Sequence, residues 1–171
     1  RLGTPIPNPE ALQSILQAAL RAPDHGALRP WRFLVIEGDG LARLADIGAQ
    51  TLKRRDPDAS DSDLDRAREK LTRAPMAIAI GARIDPDHKK IPEVEQILSV
   101  GAAAMNLLNA LHALGFAGKW VTGPNPYDPF FAKALGFEPP ERCYGMIMVG
   151  TPDREEQPPS HDLGEFVRHW H

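Results

Sequence analysis

The run from residue 93 to 114 constrains the fold more than any other. Ile97, Val100, Ala104, Leu107, Leu108, Leu111 and Leu114 recur at helical spacing and give a broad apolar face. Gly101-Ala102-Ala103-Ala104 adds small side chains that let another element approach closely. A long helix that is apolar nearly all round needs cover on more than one side. A sheet on one side and a second subunit on the other would supply it. Gly115 is placed to cap the C-terminus.

The covering sheet is legible in part. Residues 76–82 and 144–150 are short and free of charged side chains, as interior strands are. Residues 32–37 and 116–121 add two more strands. Pro5, Pro7 and Pro9 keep the first residues extended. Asn8 and Pro9 then open a helix over 9–22, with Leu12, Ile15, Leu16 and Ala19 as its stripe and Pro23 as its stop. Gly38-Asp39-Gly40 reads as a turn, and 41–47 as a short helix weakened by Gly48. Residues 53–63 read as a mobile, charged connector. Residues 64–71 read as a surface helix, and 129–135 as a brief helix stopped by Gly136.

At 171 residues the chain is one domain. Its first residue is Arg1 rather than Met, so a natural N-terminal segment is expected to be missing. Residues 151–171 form a polar C-terminal arm with Pro158-Pro159, and its Phe166, Val167 and Trp170 are expected to dock on the body or on a partner. A formal net charge of -3 gives no bulk reason to bind nucleic acid. No apolar run of membrane-spanning length stands out. A single cysteine excludes an internal disulfide and fits a reducing, cytoplasmic compartment. Cys143 has no evident base nearby in sequence, and His161, His169 and His171 match no metal-ligand spacing. Gly38-x-Gly40 lacks the third glycine of a dinucleotide fingerprint. Lys53-Arg54-Arg55 is balanced by the acidic residues after it.

Two segments carry more chemistry than a connector needs. Residues 21–31 join the first helix to the first long strand and hold Arg21, His25, Arg29 and Trp31. Arg21 can donate several hydrogen bonds to phosphate or to carbonyl oxygens. His25 can add another polar contact, and Trp31 can support a flat ring. The plainer reading makes Arg21 a partner for the negative end of the helix dipole and Trp31 a core residue. The second segment is Lys119-Trp120-Val121-Thr122-Gly123, where Trp120 alone is more often core than cofactor contact.

Arg21-Ala22-Pro23-Asp24-His25-Gly26, followed by Arg29-Pro30-Trp31-Arg32-Phe33-Leu34-Val35-Ile36-Glu37-Gly38, resembles the first signature of the flavin-dependent nitroreductase family, in its branch of small NAD(P)H nitroreductases. His88-Lys89-Lys90-Ile91-Pro92, Gly115-Phe116-Ala117-Gly118 and Leu135-Gly136-Phe137 continue the match. The resemblance implies an α+β sandwich, with a mainly antiparallel central sheet flanked by helices, and an intertwined homodimer. It implies FMN as cofactor and NADH or NADPH as co-substrate. A nitroaromatic, quinone or similar electron-poor small molecule would be the acceptor, in ping-pong turnover without a catalytic acid, base or metal from the protein. By the same resemblance Arg21, His25, Trp120, Val121 and Thr122 contact the flavin. Val121 replaces a cationic or polar residue of the relatives. Residues 110–115 match a nicotinamide-binding region in which only His112 has a polar head. The element that holds the FMN phosphate in the family would precede Arg1. Arg29 reads as a surface residue. The alternative is a non-catalytic protein of the same fold that binds or stores flavin.

Overall fold

The computed structural model describes residues 1–154 and 160–171. In chain order the elements are β1 (Leu2–Gly3), α1 (Pro9–Ala19), β2 (Trp31–Glu37), α2 (Asp39–Arg55), α3 (Asp61–Leu71), β3 (Met76–Arg83), α4 (Glu93–Ala113), β4 (Ala117–Val121), α5 (Pro129–Ala134) and β5 (Glu141–Pro152). Single 3-10 turns lie at His25–Ala27, Asn125–Tyr127 and Leu163–Glu165. Every strand pairing is antiparallel, in the order β1-β5-β3-β2, with β4 also on β5.

β3 is buried on both faces, which explains its unbroken apolar sequence. Met76, Ile78, Ile80 and Ala82 face a core shared with Ile15 and Ala19 of α1 and with Val100, Leu107 and Leu111 of α4. Ala77 and Ala79 face the opposite core, with Leu44 of α2, Leu71 of α3 and Phe131 of α5. The sheet is thus a middle layer with helices on both sides.

α1 begins as its sequence indicates, with the Asn8 side chain accepting from the Ala11 N–H at 2.9 Å. It ends at Ala19, earlier than the proline alone requires. The glycines before α2 do not make a separate turn: Gly38 is the N-cap, and Asp39 and Gly40 already belong to the helix. Nor does Gly48 weaken α2, which runs on to Arg55. A Cβ at Gly48 would lie 2.2 Å from Leu71 Cδ1, so the glycine is a notch that seats α3. The charged connector shrinks to residues 56–60. Ser60 and Asp63 form a reciprocal capping box that starts α3 at Asp61. β5 is longer than its apolar centre, because Glu141, Arg142 and Cys143 still pair with β3.

The 21 residues of α4 are long and apolar enough to cross a membrane by length and composition, a test that a core helix also passes. One face packs on β3 and α1, with Ala103, Ala104, Leu107 and Leu111 fully buried. The other leaves Val94, Leu98 and Met105 exposed, at 59%, 66% and 53%. In the tail, Phe166 and Val167 are exposed and Trp170 is 99% exposed, so the body of the same chain does not cover them. Pro158 and Pro159 lie outside the described residues.

Candidate functional site

Residues 20–31 form a stiff loop. Leu20, Arg21 and Ala22 bond back to the last turn of α1, after which Asp24 is extended. The Asp24 carboxylate accepts from the Arg29 N–H at 2.7 Å. Gly26, Ala27 and Arg29 all have φ between 50° and 70°, a region that side chains other than glycine rarely adopt. A Cβ on Gly26 would come 2.4 Å from Ile91 Cδ1, so glycine is needed there on both counts. His25 Nδ1 meets Glu95 Oε2 on α4 at 2.5 Å. Arg21 is exposed and has no ion pair among the described residues. Trp31 is a core residue, 8% exposed and packed with the α1–α4 layer, which settles its two readings in favour of the plainer one. Arg29 is exposed, as a surface residue; its backbone N–H serves Asp24 and its carbonyl accepts from Arg32 Nη1 at 3.1 Å.

β4 places the second segment. Lys119 is exposed, and the Trp120 ring is 37% exposed with Nε1 donating to the Tyr144 carbonyl at 3.3 Å. Opposite it β5 bulges. Ala79 pairs with Met146 but Gly81 pairs with Cys143, so Tyr144 and Gly145 take up an extra residue. Gly145 has φ +123°, and a Cβ there would lie 2.6 Å from Trp120 Nε1 and 2.7 Å from the Val121 carbonyl. The bulge therefore makes room for the indole and fixes the end of β4. A lone glycine inside an apolar strand is the sequence signal for such a bulge. Burial pushes the neighbouring Cys143 thiol above its ordinary range, which disfavours the thiolate a nucleophile needs.

Val121, Thr122 and Gly123 line a cavity of about 2190 Å³ bounded by β1, β4, α2 and α3. That exceeds what one small ligand usually occupies. Leu71, Val121, Met146 and Met148 give the lining an apolar part. Seven Arg or Lys residues line it against four Asp or Glu. The whole chain has the opposite balance, 20 against 23. Arg66 is paired with Asp63 at 2.6 Å, and Arg55 lies 3.9 Å from Asp128. Lys70, Arg73 and Lys119 form no ion pair among the described residues. This cationic wall is not visible in sequence, where residues 64–71 have only the pattern of a surface helix. His112 also lines the cavity. Arg21 and His25 do not, nor does Trp120. Of the candidate residues, Val121 and Thr122 lie on the cavity, Arg21 and His25 lie on the α1–β2 loop beside α4, and Trp120 is turned to the β5 bulge and belongs to neither group. Among the described residues no group of three or more His, Cys, Asp or Glu is placed to hold a metal.

The structure is a three-layer α+β sandwich with an antiparallel sheet and a wide cleft whose lining carries a cationic surplus. The chain belongs to the nitroreductase family, whose family model matches residues 2–151. It is 38% identical over 152 residues to the "Putative NAD(P)H nitroreductase YdjA" of Escherichia coli K12, covering 89% of this chain and 81% of that protein. The fold matches a nitroreductase-like family protein from Bacillus cereus with a TM-score of 0.82 and 20% identity, over 99% of this chain and 89% of that one. It also matches a "putative nitroreductase" of Desulfovibrio desulfuricans solved in complex with FMN, with a TM-score of 0.76 and 24% identity, over 99% and 89% of the two chains.

Proposed function

We propose that this chain is an FMN-dependent oxidoreductase. It uses NADH or NADPH to reduce nitroaromatics, quinones or similar electron-poor small molecules in ping-pong turnover. The carrying observation is the cavity: a cationic surplus beside an apolar floor, within a chain of net negative charge. Cations suit the phosphate and the carbonyl oxygens of a flavin, and the floor suits its ring. Family membership and the FMN complex of a structural neighbour support the same reading.

When bound, FMN would supply the two-electron chemistry between nicotinamide and acceptor. Lys70, Arg73 and Lys119 would hold negative charge at the cavity wall. The loop from Thr122 would offer a hydroxyl and backbone N–H groups beside the ring, and Gly123 leaves open space there. Val121 and Met146 would keep water from one side of it. Trp120, held by the bulge, would fix the position of that loop.

Arg21 and His25 would complete the site from a second copy of the chain. Their place outside the cavity supports this reading, as do the uncovered Val94, Leu98 and Met105 on α4 and the uncovered aromatic tail. Arg21→Ala should weaken FMN binding without lowering the melting temperature, since the side chain is exposed and unpaired among the described residues. An FMN titration followed by fluorescence checks it, and unchanged affinity would count against the assignment. Flavin that binds but is not bleached by NADH or NADPH would favour a storage protein instead.

A further inference from the structure

The geometry points to Glu95 as the residue that positions His25 for a ligand. This rests on the flavin reading above but names a residue and a tautomer beyond it.

Glu95 Oε2 and His25 Nδ1 lie 2.5 Å apart although the residues are 70 apart in sequence. An ionised carboxylate can only accept, so the hydrogen of this bond belongs to Nδ1. Nε2 is then the ring nitrogen left for a ligand, and it has no partner among the described residues. In a neutral ring it is an acceptor. It would therefore meet a hydroxyl or N–H of the flavin rather than one of its carbonyl oxygens.

Both ends of the pair are held. Glu95 sits in the first turn of α4, and its carbonyl accepts from Ser99 Oγ at 3.1 Å. The adjoining Gln96 is 2% exposed and ties the incoming loop to α4, accepting from the Asp85 N–H at 2.9 Å and donating to the carbonyls of Asp85 and Ile91 at 2.8 and 3.2 Å. On the other side, Asp24 fixes the loop by its bond to Arg29, and Ile91 closes on Gly26. A histidine whose only task was to fill a turn would not need an acidic partner on another helix. Yet the side chains of His25 and Glu95 stay 60% and 42% exposed. The bond thus orients a ring that is still open to a ligand, in the manner of the carboxylates that orient metal-binding histidines.

The test compares wild type, Glu95→Ala and Glu95→Gln. Long-range 15N NMR at about pH 8.5, above the ordinary imidazole range, reads which ring nitrogen of His25 carries hydrogen. FMN affinity is measured on the same proteins. Wild type should show hydrogen on Nδ1. Glu95→Ala should show a mixture of tautomers and bind FMN roughly two- to tenfold more weakly, the worth of one hydrogen bond. Glu95→Gln, which keeps an acceptor oxygen, should fall between the two. An unchanged ring pattern in Glu95→Ala would overturn the inference, as would a changed pattern with unchanged FMN affinity. If wild type binds no FMN, the flavin reading falls and takes this role with it. Equal binding by wild type and Glu95→Ala removes the role alone.

Discussion

At the scale of the residue, Gly145 decides how the candidate cofactor segment is held. It combines φ +123° with contacts that leave no room for a Cβ against Trp120 or the Val121 carbonyl. Gly145→Ala should destabilise the fold by about 1–3 kcal/mol and shift Trp emission, as the indole loses its bond to the Tyr144 carbonyl. Denaturant unfolding with fluorescence checks both. The sequence showed Trp120 and Gly145 as residues, but not that a β5 bulge makes them neighbours, because strand pairing is invisible to local periodicity. The same holds for Glu95. It stands among helix-forming residues, and only the folded chain brings it to His25. Trp31 shows the reverse case: its ring suggested a cofactor support, and packing against α1 and α4 made it core.

At the scale of the element, Leu71 of α3 seats against Gly48 of α2, and Arg68 bonds Asp46 across the same pair of helices. Leu71 is 7% exposed and fills the notch at Gly48. Leu71→Ala should cost about 2–5 kcal/mol, read as a lower denaturation midpoint, because the rigid notch cannot collapse into the space. The start of α3 is pH-sensitive. Bonds from Ser60 and then Arg66 lower the Asp63 carboxyl from its ordinary 3.8 to about 2. A carboxylate favoured by the fold stabilises it above the unfolded value, and the benefit is lost as pH falls through the folded one. The melting temperature should therefore drop between those two values, and Asp63→Asn should flatten that part of the profile. The effect should be small, since the group is exposed and screened. Long periodic segments and buried strands were legible in the sequence because burial imposes a pattern on them. α3 was read short because its cap is made of charged and polar residues, which look like a connector until the Ser60–Asp63 reciprocity is noticed.

At the scale of the whole molecule, the proposed flavin site is divided between two surfaces. The cationic cavity and the Arg21–His25 loop are separate in one chain, and the uncovered stripe of α4 offers a way to join them in two. Sedimentation should give a dimer. Replacing both Leu98 and Met105 with Asp should yield monomers that lose FMN together with the partner. Monomers that keep full flavin affinity would show that the second copy contributes nothing to the site. The α4 helix was the clearest feature of the sequence, and its outer face leaves Val94, Leu98 and Met105 uncovered.

Whether the chain passes electrons from a nicotinamide through FMN to an acceptor is read by rapid-mixing absorbance on the FMN-saturated protein. Anaerobic NADH or NADPH should bleach the bound flavin, and a quinone or nitroaromatic added afterwards should restore its colour. Failure of the protein to bind FMN, or bound flavin that neither nicotinamide reduces, would contradict the account.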